Sequence, residues 1–148
     1  MKINKLTLSG LVIALYIVIM YFTQGFAFLQ YQIRIATALY ALAYLYPFLM
    51  IPLAIANGLS NLLMGGLGIL DVLGGFGVGL ITTFLIVLIR RYKFNYKLVF
   101  IPILLVGVIV PLWLNLILNL PYLPLAINVS LGQIIPAILG VILIRRLK

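Results

Sequence analysis

Asp71 to Ile89 reads DVLGGFGVGLITTFLIVLI, and Arg90 to Lys97, immediately after it, reads RRYKFNYK. The first stretch carries one charge, at its first residue, and the second carries four cations. An apolar run of about 20 residues crosses the ~30 Å hydrocarbon layer of a bilayer as a helix. A Lys/Arg cluster at the end of such a run marks the side kept in the cytoplasm. This span and its basic loop therefore predict a membrane protein and an orientation for it.

The pattern extends along the whole chain. Apolar runs separated by polar or Pro/Gly breaks predict spans at Leu6 to Phe22, Ile33 to Tyr46, Pro47 to Met64, Asp71 to Ile89, Leu98 to Leu120 and Leu125 to Ile144. Six spans of about 20 residues each consume most of the 148 residues, leaving no room for a soluble domain. The composition agrees: 66% hydrophobic and 7% charged, against about 25% charged in soluble domains. The expected fold is all-α, a single six-helix transmembrane domain over residues 1–148. The second span is too short to cross squarely and is read as a short helix, with Pro47 opening the third. The first run is long for a signal-peptide core, and no small-x-small cleavage pattern follows it, so it is read as a retained span.

With six spans, nine of the ten basic residues fall on one side: Lys2 and Lys5, then Arg90, Arg91, Lys93 and Lys97, then Arg145, Arg146 and Lys148. That side is read as the cytoplasm, with both termini in it. Only Arg34 is left at the opposite end. The net charge of +9 is then accounted for by topology and lipid headgroups, and nucleic acid is not an expected partner. With no His, no Cys and one acidic residue, the chain lacks the groups for a catalytic triad, paired carboxylates or a metal cage. No enzyme activity, metal or cofactor is expected.

The strongly polar groups within the spans gather in their outer halves: Arg34, Thr37, Asn57, Asn61, Asp71, Asn115, Asn119, Asn128, Ser130 and Gln133. Polar side chains at membrane depth are costly unless they meet partners or a wet cavity. A pocket opening outward accounts for their common depth, with Arg34, Asn57, Asp71, Asn115 and Gln133 as hydrogen-bonding groups and Trp113 and Tyr31 as stacking faces. That set suits a planar, hydrogen-bond-rich molecule such as a nucleobase. Duller roles stay open for each. Asp71 is also placed to cap the fourth span, and Arg34 to snorkel or to pair with Asp71. The asparagines can bond helix to helix, and Trp113 can sit in an interfacial belt. Gly75 and Gly79 form a GxxxG pair for close packing, and Gly10 with Ala14 makes a small-xxx-small patch on the first span.

Gln32 to Leu39 (QIRIATAL), Asn57, Gly68 to Gly74 (GILDVLG), Pro111 to Asn115 (PLWLN) and Val129 to Gln133 (VSLGQ) together resemble, in order and spacing, the QueT-type family. Its members are substrate-binding S components of energy-coupling factor (ECF) transporters associated with queuosine precursors. The resemblance, over roughly Leu8 to Leu143, implies a six-helix S component of the bacterial plasma membrane that captures a deazaguanine outside. It implies as partners a transmembrane coupling protein (EcfT-like) and two cytoplasmic ATPases. It also implies that the connection at Gly25 to Gln32 closes over the ligand and that Gly10 and Ala14 face the coupling protein. The family pattern reads Arg-x-Ser-Glu in the first motif and ends the last in Glu, whereas this chain has Thr37 and Gln133. Two expected carboxylates are thus neutral, which weakens the case for a cationic aminomethyl precursor and opens the site to the nitrile precursor, queuine or queuosine. Two other functions compete: an S component for a flavin or pterin-like vitamin, and a structural membrane protein whose polar residues only join helices.

Overall fold

The computed structural model describes residues 2–28 and 32–148. Among them there is no strand. The helices are α1 (Lys5–Ala27), α2 (Ile35–Leu45), α3 (Pro47–Gly65), α4 (Ile69–Arg91), α5 (Tyr96–Leu118) and α6 (Tyr122–Leu147). All but α2 are long and apolar enough to cross a membrane. Leu6, Phe22, Leu73 and Leu116 lie exposed on the outside, a belt that a water-soluble surface does not tolerate and a bilayer covers. The protein is a multi-pass, all-helical membrane protein.

The expected segments are present with shifted ends. The first helix runs on to Ala27, five residues beyond Phe22, so Gly25 is helical and does not belong to a connecting loop. The fourth begins two residues before Asp71. Pro47 does open α3: proline fits a first helical turn, where its missing N–H has no partner to lose. At the start of α1, the Asn4 side chain accepts from the backbone N–H groups of Leu6 (3.0 Å) and Thr7 (3.3 Å), satisfying two of the turn's orphan donors.

The short α2 is the centre of the molecule. It begins as a 3-10 helix over Ile35–Ala41, all of it buried from Ala36 onward. Three alanines in that stretch let neighbours enclose it, with α1, α3, α4, α5 and α6 all touching it. Helices α3 and α4 form one of the two most extensive pairs, with α5 and α6 the other, and the glycines of α4 make the first possible. A Cβ at Gly79 would lie 3.0 Å from Ala54 Cα, and one at Gly75 would lie 2.5 Å from Asn61 Nδ2. The GxxxG pair therefore packs α4 against α3, as its spacing predicts. Between α5 and α6 the backbones come close at Gly107, where any Cβ would overlap the backbone of Ser130.

Contacts also define two ends. At one, Arg90 donates to the carbonyls of Tyr44 (2.9 Å) and Leu45, Lys5 lies over Phe48 and Lys148 over Tyr96. At the other lie Phe28, Arg34, Asn61, Gly65 and Asp71. Arg90, Lys5 and Lys148 thus lie at the opposite end of the bundle from the polar cluster around Arg34.

Candidate ligand-binding site

Successive side chains on a 3-10 helix eclipse every three residues, so Arg34, Thr37 and Tyr40 form one stripe along α2. Each reaches a different part of the bundle. Arg34 Nη2 donates to Asn61 Oδ1 at 2.6 Å and lies 3.5 Å from Ser60 Oγ, and its guanidinium sits 5.2 Å over the Phe28 ring. Asn61 Nδ2 in turn donates to the Asp71 carbonyl at 3.0 Å. Trp113 Nε1 donates to Asp71 Oδ1 at 3.0 Å. A single chain of hydrogen bonds therefore ties α2, α3, α4 and α5 together at the polar end.

The second group on the stripe joins α6. The Thr37 hydroxyl is within reach of the Arg34 carbonyl (2.6 Å) and of Gln133 Oε1 (3.0 Å), and Gln133 Nε2 donates to the Gln32 carbonyl at 3.0 Å. The third joins α3 and α1. Asn57 Nδ2 donates to the Tyr40 hydroxyl (2.6 Å) and the Gly75 carbonyl (2.8 Å), while the Tyr16 ring stacks on Tyr40 at 6.1 Å between centroids.

These groups are closed off: Arg34 is 4% exposed, Asn57 1%, Asp71 5% and Gln133 0%. Yet Arg34 Nε, Asn57 Oδ1 and the Tyr16 hydroxyl are buried with no hydrogen-bond partner among the described residues. Leaving a buried donor or acceptor unpaired costs about 1–3 kcal/mol, so three of them in one network mark a place that a polar guest would complete. A cleft of about 320 Å³ reaches the network where Asn61 forms a wall with Gly66, Gly68 and Val72. Gly66 and Gly68 have φ of +66° and +91°, conformations open to glycine at no steric cost. They turn the chain sharply from α3 into α4, and so set Asp71 beside Asn61.

Several single-residue roles are corrected by this geometry. Asp71 is not the helix cap. That position is Gly68, and Asp71 lies in the first turn with its carboxylate on Trp113. Arg34 neither snorkels to the surface nor donates to the Asp71 carboxylate; buried at 4% exposure, it turns Nη2 to Asn61 and Ser60. Trp113 faces the protein interior through its indole N–H rather than a lipid belt. Asn57 and Asn61 do bond helix to helix. Asn115 follows Trp113 by two residues, about 200° round the helix at 3.6 residues per turn, and forms no hydrogen bond with the cluster; its Oδ1 has no partner among the described residues. Asn119 is exposed and ends α5 in a left-handed conformation, φ 52°.

Of the connection expected to cover the ligand, Gly25 to Ala27 belong to α1, and residues 29–31, Tyr31 included, lie outside the described residues. On α1, Gly10 and Ala14 are exposed, and a Cβ at Gly10 would meet nothing within 4 Å. Sequence reasoning missed Tyr16 and Tyr40. A signal for Tyr40 was present: it follows Thr37 by the same three residues that separate Thr37 from Arg34. Tyr16 carries none, being one aromatic in an apolar run.

The bundle encloses a buried polar network at one end of a set of helices long and apolar enough to cross a membrane. The family model for QueT transporters matches residues 6–148. The chain belongs to the QueT transporter family. No curated protein and no solved structure matches it.

Proposed function

We propose that this protein is the substrate-binding S component of an ECF transporter in the bacterial plasma membrane, capturing a queuosine-related deazaguanine from outside. The observation that carries this reading is the buried network from Arg34 to Trp113 with the Tyr40 group beside it, which between them hold three unpaired polar atoms among the described residues, in a chain of the QueT family. A guanine-like edge presents two adjacent N–H donors. The Asp71 carboxylate accepts both, since each oxygen has two lone pairs and only Oδ1 is engaged, by Trp113, among the described residues. Asn57 Oδ1 and Arg34 Nε then offer one acceptor and one donor deeper in the site. The Trp113 and Phe28 rings supply apolar faces for a planar base.

Thr37 and Gln133, already bonded to each other, offer no negative charge to a cationic substituent. The nitrile precursor, which carries no cationic group, is therefore preferred to the aminomethyl compound, and the bulkier queuine and queuosine stay open as ligands. Access runs through the cleft beside Asn61 or past the connection between α1 and α2. The chain contributes no nucleotide-binding motif, so uptake draws its energy from a transmembrane coupling protein and two cytoplasmic ATPases. Exposed Gly10 and Ala14 on α1 are the surface for that coupling protein. The cation-bearing end, with both termini, faces the cytoplasm.

A thermal-shift panel on the detergent-purified protein tests the ligand class. Stabilisation by a deazaguanine, absent with flavins and pterins and weakened about tenfold or more in Asp71→Asn, is expected. Stabilisation by a flavin alone overturns the substrate class. No saturable ligand in the panel leaves the network as helix glue.

A further inference from the structure

The end of the bundle that carries the cations holds two adjoining cavities that the transport reading does not use. One, of about 420 Å³, is polar and is walled by Arg90, Lys93 and Lys148 with Tyr44, Asn95 and Tyr96. The other, of about 430 Å³, is an apolar groove between α4 and α5, with Leu88, Tyr92, Leu98, Ile101 and Leu105 in its walls. Phe94 lines both. The groove runs along α4 from Tyr92 back to Leu85, about 10 Å at 1.5 Å per residue, away from the cations and into the membrane-spanning part of the helix.

We propose that the paired cavities form a specific site for one anionic phospholipid, its phosphate among Arg90, Lys93 and Lys148 and the upper part of one acyl chain in the groove. Three observations favour this occupant. Three cationic side chains line the polar cavity and no acidic side chain does. The chain's single carboxylate side chain, Asp71, is at the far end of α4. A soluble phosphate would fill the polar cavity and leave the groove empty, and an uncharged lipid would fill the groove and leave the cations unpaired. Only an amphiphile with an anionic head satisfies both at once.

The shape is also held in place. Arg90 is fixed by the carbonyls of Tyr44 and Leu45 at the end of α2, and Lys148 by the Tyr96 ring at 5.3 Å. Lys93 stands in a left-handed conformation, φ 57°, in the turn after α4, stabilised by its N–H donating to the Arg90 carbonyl at 3.0 Å. Diffuse attraction of basic loops to anionic membranes needs no such order.

The test uses the whole protein in neutral detergent, with phosphatidylglycerol, phosphatidylcholine of the same acyl chains, and inorganic phosphate as probes. Phosphatidylglycerol is expected to bind saturably with one molecule per protein by native mass spectrometry and to raise the melting temperature. Phosphatidylcholine and phosphate are expected to do neither. Lys93→Gln with Lys148→Gln should weaken phosphatidylglycerol at least about tenfold, from about 1 kcal/mol per basic residue. Arg145→Gln with Arg146→Gln removes the same charge outside the two cavities and should leave binding unchanged. Ile101→Trp, which fills the groove and keeps every cation, should weaken it as well. Equal losses in the two charge pairs would reduce the effect to diffuse electrostatics and overturn the proposal. Full stabilisation by phosphate alone would overturn the lipid. Absence of any phosphatidylglycerol selectivity would overturn the site and assign the groove to bulk lipid or a protein partner.

Discussion

Adding one methyl group at Gly74 tests whether Trp113 is the rigid wall of the site. A Cβ there would lie 2.7 Å from Cδ2 and Cζ2 of the Trp113 indole, inside van der Waals contact. The ring cannot retreat without lengthening its 3.0 Å bond to Asp71 Oδ1. Overpacking of this kind costs about 1–3 kcal/mol, while Gly→Ala within a helix returns about 0.8–1 kcal/mol. Gly77, three residues on, has nothing within 4 Å of its would-be Cβ, so Gly77→Ala reports the helix gain alone. The difference between the two variants isolates the clash: about 1–3 kcal/mol, or roughly 3–9 °C in melting temperature for a chain of this size. Trp113 is the single tryptophan, so its fluorescence reads the displacement directly. Gly74→Ala should shift the emission and weaken deazaguanine binding about tenfold through the loss of an oriented carboxylate, and Gly77→Ala should do neither. Matching emission and melting temperatures in the two variants would refute Trp113 as a fixed wall held by Asp71.

Asn61→Leu removes the acceptor of a buried guanidinium and should destabilise by about 1.5–3 kcal/mol, with a smaller loss once Arg34→Met is added; thermal melts giving simply additive losses would separate the two residues. A cysteine at exposed Asn95 should react with a membrane-impermeant thiol reagent only in inverted vesicles, and labelling in intact cells would reverse the orientation. Gly10→Leu with Ala14→Leu should spare ligand binding by the isolated protein and abolish co-purification with the coupling protein. Loss of both together would make the patch part of the fold, and normal uptake in cells would remove it as the docking surface.

Much of the architecture was legible because it depends on one-dimensional properties. Length and apolarity predict α1, α3, α4, α5 and α6, and the Pro47 break predicts the short helix before it. Segment ends moved by a few residues because polar residues need not end a helix: Thr23, Gln24 and Gly25 all stay in α1, with the Thr23 hydroxyl donating back to the Ile19 carbonyl. The polar and basic ends were equally legible, as depth along a span follows from counting residues.

The pairing of the polar residues was not. Arg34 bonds Asn61 instead of Asp71, Gln133 bonds Thr37, and Asn57 bonds Tyr40. Each of these partners lies 17 to 96 positions away in the chain. A periodic pattern states which residues share a face, but not the rotation of that face or its vertical offset against another helix. Those two quantities are decided by close packing at Gly75 and Gly79 on α4, at Gly107 on α5 and around the alanines of α2. Sequence alone determined that this chain crosses a membrane as a helical bundle, with cations at one end and hydrogen-bonding groups at the other. The tertiary structure alone decided which groups meet and which stay unpaired, because a hydrogen bond forms only within about 3 Å and that separation depends on how whole helices dock.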